Sequence, residues 1–174
     1  MIKIELTPLK GIDIENVGEV LLGQSRQSVD SLLGKPSEPD STNSAFYELY
    51  ELRIDFDEFG KVGYIEFLYG PFPERTELCI YDVNPFTIGA EKLVEILSRQ
   101  NNGEIDTTEA EFSYAFLNIS VGIWRQFTQK DMEESIAELK STGKYEFNRS
   151  SIEDDLDKSR NFWTIGVGVA NYYK

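Results

Sequence analysis

Apolar and polar residues alternate along "IKIEL", residues 2 to 6, and this spacing predicts a strand. Farther on, Val29, Leu32 and Leu33 fall on one face of a helix over residues 26 to 33. Ser25 is placed to cap its start, Gly34 stands where a helix end favours positive φ, and Pro36 prevents continuation. Two alternating, aromatic-rich runs follow, "AFYELYELRIDFD" and "KVGYIEFLYG", and "TELCIYDV" is a further strand candidate. The order then returns. Leu93, Val94, Ile96 and Leu97 predict a helix over residues 89 to 99, and "FSYAFLNISVGIW" reads as strand material. Thr128 and Asp131 resemble a capping box opening a helix to Lys140, with Met132, Ile136 and Leu139 as its apolar stripe and Gly143 beyond its end. A shorter helix is expected after Ser150, and "FWTIGVGVANYY" closes the pattern as a strand.

The two halves, about 1–84 and 85–174, come into rough register at an offset of 65 or 66 residues: Gly23 falls on Gly89, Val29 on Val94, Leu52 on Leu117 and Ile54 on Ile119. The expectation is one α+β domain of mostly antiparallel sheet with helices packed on one face. It would be built by duplicating a helix-then-meander unit, with a helical insertion near 128–160 in the second copy.

The stretch "DFDEFGKVGYIE", Asp55 to Glu66, invites a metal reading. It sets Asp55, Asp57, Gly60, Val62 and Glu66 at positions 1, 3, 6, 8 and 12 of a calcium loop, but Phe59 fills a ligand position and the flanks have period two. A hairpin explains more. Pairing Leu52 with Phe67 and Ile54 with Ile65 makes one apolar face; Arg53 then meets Glu66, Asp55 meets Tyr64 and Glu58 meets Lys61. "GQSRQSVDSLLGKP" is no phosphate loop either, because Lys35 follows its helix instead of entering one. No metal and no cofactor are expected.

With 31 acidic residues against 17 basic, the net charge is −14. That sign opposes nucleic-acid and anionic-membrane binding and favours a basic protein partner. No run approaches the length of a membrane span, and the start "MIKIELTPLKGIDIE" has neither a signal-peptide pattern nor a lipidated cysteine, so a cytoplasmic location is expected. The chain has no histidine, which removes Ser-His and Cys-His catalysis, and Cys79 has no candidate base. A carboxylate-based hydrolase stays open as an alternative, as does an interaction domain without a toxin partner. "TIGVGVANYY" puts Gly166 and Gly168 on one strand face, and Gly122 is placed likewise in "ISVGIW"; a packed helix is the expected cover. The loop "FLYGPFPERTE" carries Tyr69 and Phe72 around two prolines and is a candidate contact surface.

The spacing of "LGQSRQSVDSLLGKPS" followed by "YELRIDFDEFGKVGYIEF" resembles the helix-then-strands module of BamE/SmpA-like lipoproteins, without their lipobox. As a whole the chain resembles small, acidic, cytosolic bacterial proteins that act as immunity proteins to secreted toxins. That resemblance implies a non-enzymatic inhibitor whose carboxylates imitate phosphates toward a basic partner such as a nuclease toxin. The residues expected to meet the partner are Asp55, Asp57, Glu58, Tyr64, Glu66, Tyr69 and Phe72.

Overall fold

A computed structural model describes residues 1–37, 41–68 and 72–174. In chain order, the first elements are β1 (Ile2–Thr7), β2 (Gly11–Ile14), β3 (Gly18–Leu21), α1 (Arg26–Leu33), β4 (Ser44–Tyr47), β5 (Leu52–Phe56), β6 (Val62–Phe67) and β7 (Thr76–Cys79). They are followed by α2 (Ala90–Asn101), β8 (Ile105–Asp106), β9 (Ser113–Phe116), β10 (Val121–Trp124), α3 (Gln129–Ser141), α4 (Tyr145–Ser159) and β11 (Thr164–Gly168). The fold is α+β, with the described strands in two sheets ordered β3-β2-β1-β7 and β4-β5-β6-β11-β10-β9-β8. Every pairing is antiparallel except that of β1 with β7.

Period-two alternation decides which face of each strand is buried. Leu52, Ile54 and Phe56 of β5, Val62, Ile65 and Phe67 of β6, and Ile165 and Val167 of β11 all point into one core. The same cluster takes Ile4, Leu6, Ile12, Ile14, Val20 and Leu78 from the small sheet, Val29 and Leu33 from α1, and Ala90, Leu93 and Leu97 from α2. The small sheet and these two helices therefore cover a single face of the large sheet. β2 and β3 are too short to announce themselves in the sequence. They hang on Gly11, whose φ of 136° and close approach to the Val20 carbonyl leave no room for a Cβ.

The two sheets are also joined by one carboxylate. A 3₁₀ turn at Glu48–Tyr50 ends in Glu51, held at φ 53° and only 4% exposed. Glu51 Oε1 accepts from the backbone N–H groups of Glu74 (2.7 Å) and Arg75 (3.1 Å). Its Oε2 accepts from the Thr76 N–H (3.0 Å) and hydroxyl (2.5 Å). Four donors satisfy a buried charge that would otherwise be costly, and they fix where β7 starts.

Beyond its central β6–β11 pair the large sheet carries β5 and β4 on one side and β10, β9 and β8 on the other. Leu52 pairs with Phe67 and Ile54 with Ile65, as Val121 pairs with Val167 and Ile123 with Ile165. Leu117, expected in register with Leu52, lies in the turn before β10. The expected pairing of β5 with β6 is present from Leu52 to Asp55. A bulge then sets Phe56 opposite Val62, and so Asp57 takes the place expected of Glu58 opposite Lys61.

Helices α3 and α4 occupy the chain between β10 and β11 and pack on each other as an arm. Thr128 and Asp131 form the expected capping box, and Gly143, at φ 70°, ends the first helix. The second begins at Tyr145, earlier than the sequence pattern indicates, because its first turns carry almost no apolar face: Phe147 is 93% exposed. Trp163 anchors the base of the arm, edge-on to Phe127 and Trp124, while its indole N–H donates to the Lys158 carbonyl at 3.0 Å. Among the described residues no helix is long and apolar enough to cross a membrane.

Candidate partner-binding surface

The outer face of the large sheet is the one left by alternation to Arg53 and Asp55 of β5, Tyr64 and Glu66 of β6, Thr164, Gly166 and Gly168 of β11, and Gly122 and Trp124 of β10. Three glycines in neighbouring strands leave a trough in this face, and tyrosines fill it. The Tyr64 ring lies over Gly166, Tyr173 over Gly122 and Tyr172 over Gly168. Residues 169–174 turn back over the sheet to bring the last two into place. Ser120 Oγ donates to the Val169 carbonyl (2.8 Å), and the Val169 N–H donates to the Gly63 carbonyl (2.9 Å). Tyr172 stacks on Tyr64 with centroids 4.6 Å apart, and the Tyr173 hydroxyl donates to that of Tyr64 at 2.9 Å. The cover is thus aromatic and local, where a helix had been expected. Burial raises the pKa of all three phenols, so they stay neutral donors.

Beside this cluster runs a groove of about 350 Å³ lined by Glu66, Asp106, Glu109, Tyr114, Trp124 and Tyr173, among others. Its charged lining residues, among those described, are all carboxylates. Glu66 is the least exposed of them. Burial raises its pKa, with Asp55 adding to the effect, while Arg53 and a hydrogen bond with Thr164 pull it back. Asp106 is lowered instead, because the Thr108 hydroxyl (2.6 Å) and N–H (2.9 Å) both donate to it. Arg53 Nη2 sits between Glu66 (2.9 Å) and Asp55 (3.2 Å), while its buried Nε has no hydrogen-bond partner.

The expected site residues separate accordingly. Asp55, Tyr64 and Glu66 share the outer face, and Tyr64, only 7% exposed, stacks its ring on Tyr172. Asp57 lies at the hairpin tip, where its Oδ1 accepts from the N–H groups of Phe59 (2.9 Å) and Lys61 (2.8 Å). That is turn chemistry, and it engages one oxygen of an exposed side chain. Glu58 beside it is exposed. Phe72 is half exposed and does not line the groove; Tyr69 lies outside the described residues. The sequence reading missed Asp106, Glu109, Trp124, Tyr172 and Tyr173. For Trp124 a signal existed, since it is two residues from Gly122 and so shares its face. Cys79 is half-buried, and its thiol is pushed up to about 11 chiefly by burial, with Glu5 adding to the effect.

Comparison with protein-family models, with curated proteins and with solved structures finds no match.

Proposed function

We propose that the protein binds a basic protein partner through the outer face of its large sheet, and that it acts as an immunity protein neutralising a basic toxin domain. The observation that carries this reading is the groove: Glu66, Asp106 and Glu109 converge beside Trp124 and Tyr173, with no lysine or arginine among the lining residues. An arginine or lysine from a partner would find carboxylates for its charge and aromatic faces for its stem. A net charge of −14 would speed the encounter with a cationic surface. The pre-built tyrosine cover keeps the face rigid, which limits the ordering cost of binding.

The test is protection in cells. A basic toxin domain encoded beside this gene is expressed in a susceptible host with the wild-type protein or with a Glu109→Lys/Trp124→Ala variant. Wild type restores growth and the variant does not, while both accumulate as folded protein. Growth restored equally by both would move the contact away from the groove.

One observation favours a second reading, a carboxylate-based hydrolase. Glu66 and Asp106 line the same groove and their environments push their pKa values apart, as an acid and its partner carboxylate require. Turnover of a glycoside or ester by the purified protein, abolished by Glu66→Gln, would establish that reading in place of the first.

A further inference from the structure

A second cavity, of about 760 Å³, has the opposite electrostatic character. It opens at the base of the arm, between the first turn of α2, the start of α3 and the end of α4. Of the chain's 17 cationic residues, Lys92, Arg125, Lys130 and Arg160 line it, and among the described residues Glu91 and Glu111 are the carboxylates that do so. In a protein of net charge −14, four cationic side chains around one cavity depart from the average composition.

Arg125 is the fixed member. Its guanidinium lies over the Phe162 ring, 4.9 Å from the centroid, with Nε donating to the Glu111 carbonyl (2.6 Å) and Nη1 to the Ser159 carbonyl (3.2 Å). These neutral partners position the cation without neutralising it, and among the described residues no carboxylate lies within ion-pair distance. Asp131, the nearest acid on α3, is committed to the Thr128 N–H and hydroxyl. Lys92, Lys130 and Arg160 pair with Glu95, Glu134 and Asp157 of their own helices, all well exposed. Exposed pairs of this kind give way readily to a competing anion. Tyr114, Phe162 and Ile88 supply apolar wall.

We propose that this cavity binds a small organic phosphate of nucleoside-monophosphate size. A phosphate dianion would meet several cations, Arg125 is held in place to donate to it, and the volume leaves room for a ring against Tyr114. The site shares Tyr114 with the acidic groove but none of that groove's carboxylates, and it does not depend on how the groove is used.

The experiment titrates the full chain with adenosine monophosphate, and separately with inorganic phosphate, at low salt. Amide shifts in ¹⁵N spectra and heat are followed together. The N–H groups of Glu91 and Lys92, which come before Leu93, the first intrahelical donor of α2, serve as local reporters. The expected result is one saturable site for adenosine monophosphate, with shifts at residues 91, 92 and 125. Inorganic phosphate should bind more weakly, and a Lys130→Glu/Arg160→Glu variant should lose about tenfold in affinity. Both substituted residues are exposed, so the variant tests binding without disturbing the core; Arg125→Gln gives a second reading of the fixed member. The proposal is overturned by no saturation up to roughly 10 mM. Shifts scattered over Lys3, Lys10 and Lys35, equal affinity for the two anions, or unchanged affinity in the double variant would also overturn it.

Discussion

The ring of Tyr64 occupies the space in which a side chain on Gly166 would stand. The two residues are diagonal neighbours on paired strands, since Gly166 pairs with Glu66 and Tyr64 with Gly168. The tyrosine lies across the sheet because the glycine yields its place. Gly166→Ala would force the ring, and with it the stacked Tyr172, out of the trough. A loss of about 1–3 kcal/mol is expected, as for other overpacking substitutions, together with a change in tyrosine near-ultraviolet dichroism. Denaturant unfolding checks the first and spectroscopy the second; wild-type values for both would mean that the cover does not depend on the bare strand face.

Glu51 carries a different kind of load, because its four donors hold the small sheet against the large one. Glu51→Gln removes the charge and replaces one acceptor oxygen by a donor that faces donors. A destabilisation on the order of 2–3 kcal/mol is expected from unfolding curves, the range for breaking buried bonds to a charged group.

At the hairpin tip, adjacent acids separate by role. Asp57→Ala removes the acceptor of two backbone N–H groups and is expected to cost about 1 kcal/mol. Glu58→Lys, on an exposed side chain, is expected to change stability by less than ~0.5 kcal/mol. Equal effects in thermal unfolding would contradict this division.

Glu66 makes stability depend on pH. Its folded-state pKa is raised above the ordinary value of 4.5, chiefly by burial. The folded chain therefore holds this proton more tightly than the unfolded one. The associated stabilisation is complete below the unfolded value and is lost as pH rises through the folded one. Glu66→Gln cannot lose a proton. Urea unfolding from about pH 4 to pH 7 should therefore show the variant gaining on wild type as pH rises. A constant difference across that window would show that Glu66 titrates normally.

Much of this architecture is legible in the sequence where one face of a strand is apolar. "ELRIDFD" and "KVGYIEF" gave the β5–β6 register because Leu52, Ile54, Ile65 and Phe67 are buried together, and a slip of one residue would expose them all. The bulge at Asp55 and Phe56 was not legible, since alternation records faces and not an extra residue on one strand. β2 and β3 were hidden by their four-residue length. The acidic surface was half legible. Asp55 and Glu66 follow from the hairpin register, whereas Asp106 and Glu109 reach the groove only through the order β11-β10-β9-β8, a long-range pairing that no local pattern reports. Tyr172 and Tyr173 looked like more strand. Asn171, at φ 67°, instead takes part in the turn that folds them over the glycines.

The most direct test of the account concerns association rate. The wild-type protein and a Glu58→Lys/Glu109→Lys variant, changed at two exposed acids, are mixed in stopped flow with any basic protein that co-purifies with the chain from its native host. Rates are measured across a series of salt concentrations. If the acidic face receives the partner, the variant associates on the order of tenfold more slowly at low salt, its salt dependence is shallower, and the two rates converge as screening increases. Equal rates with equal salt slopes would contradict capture by this face.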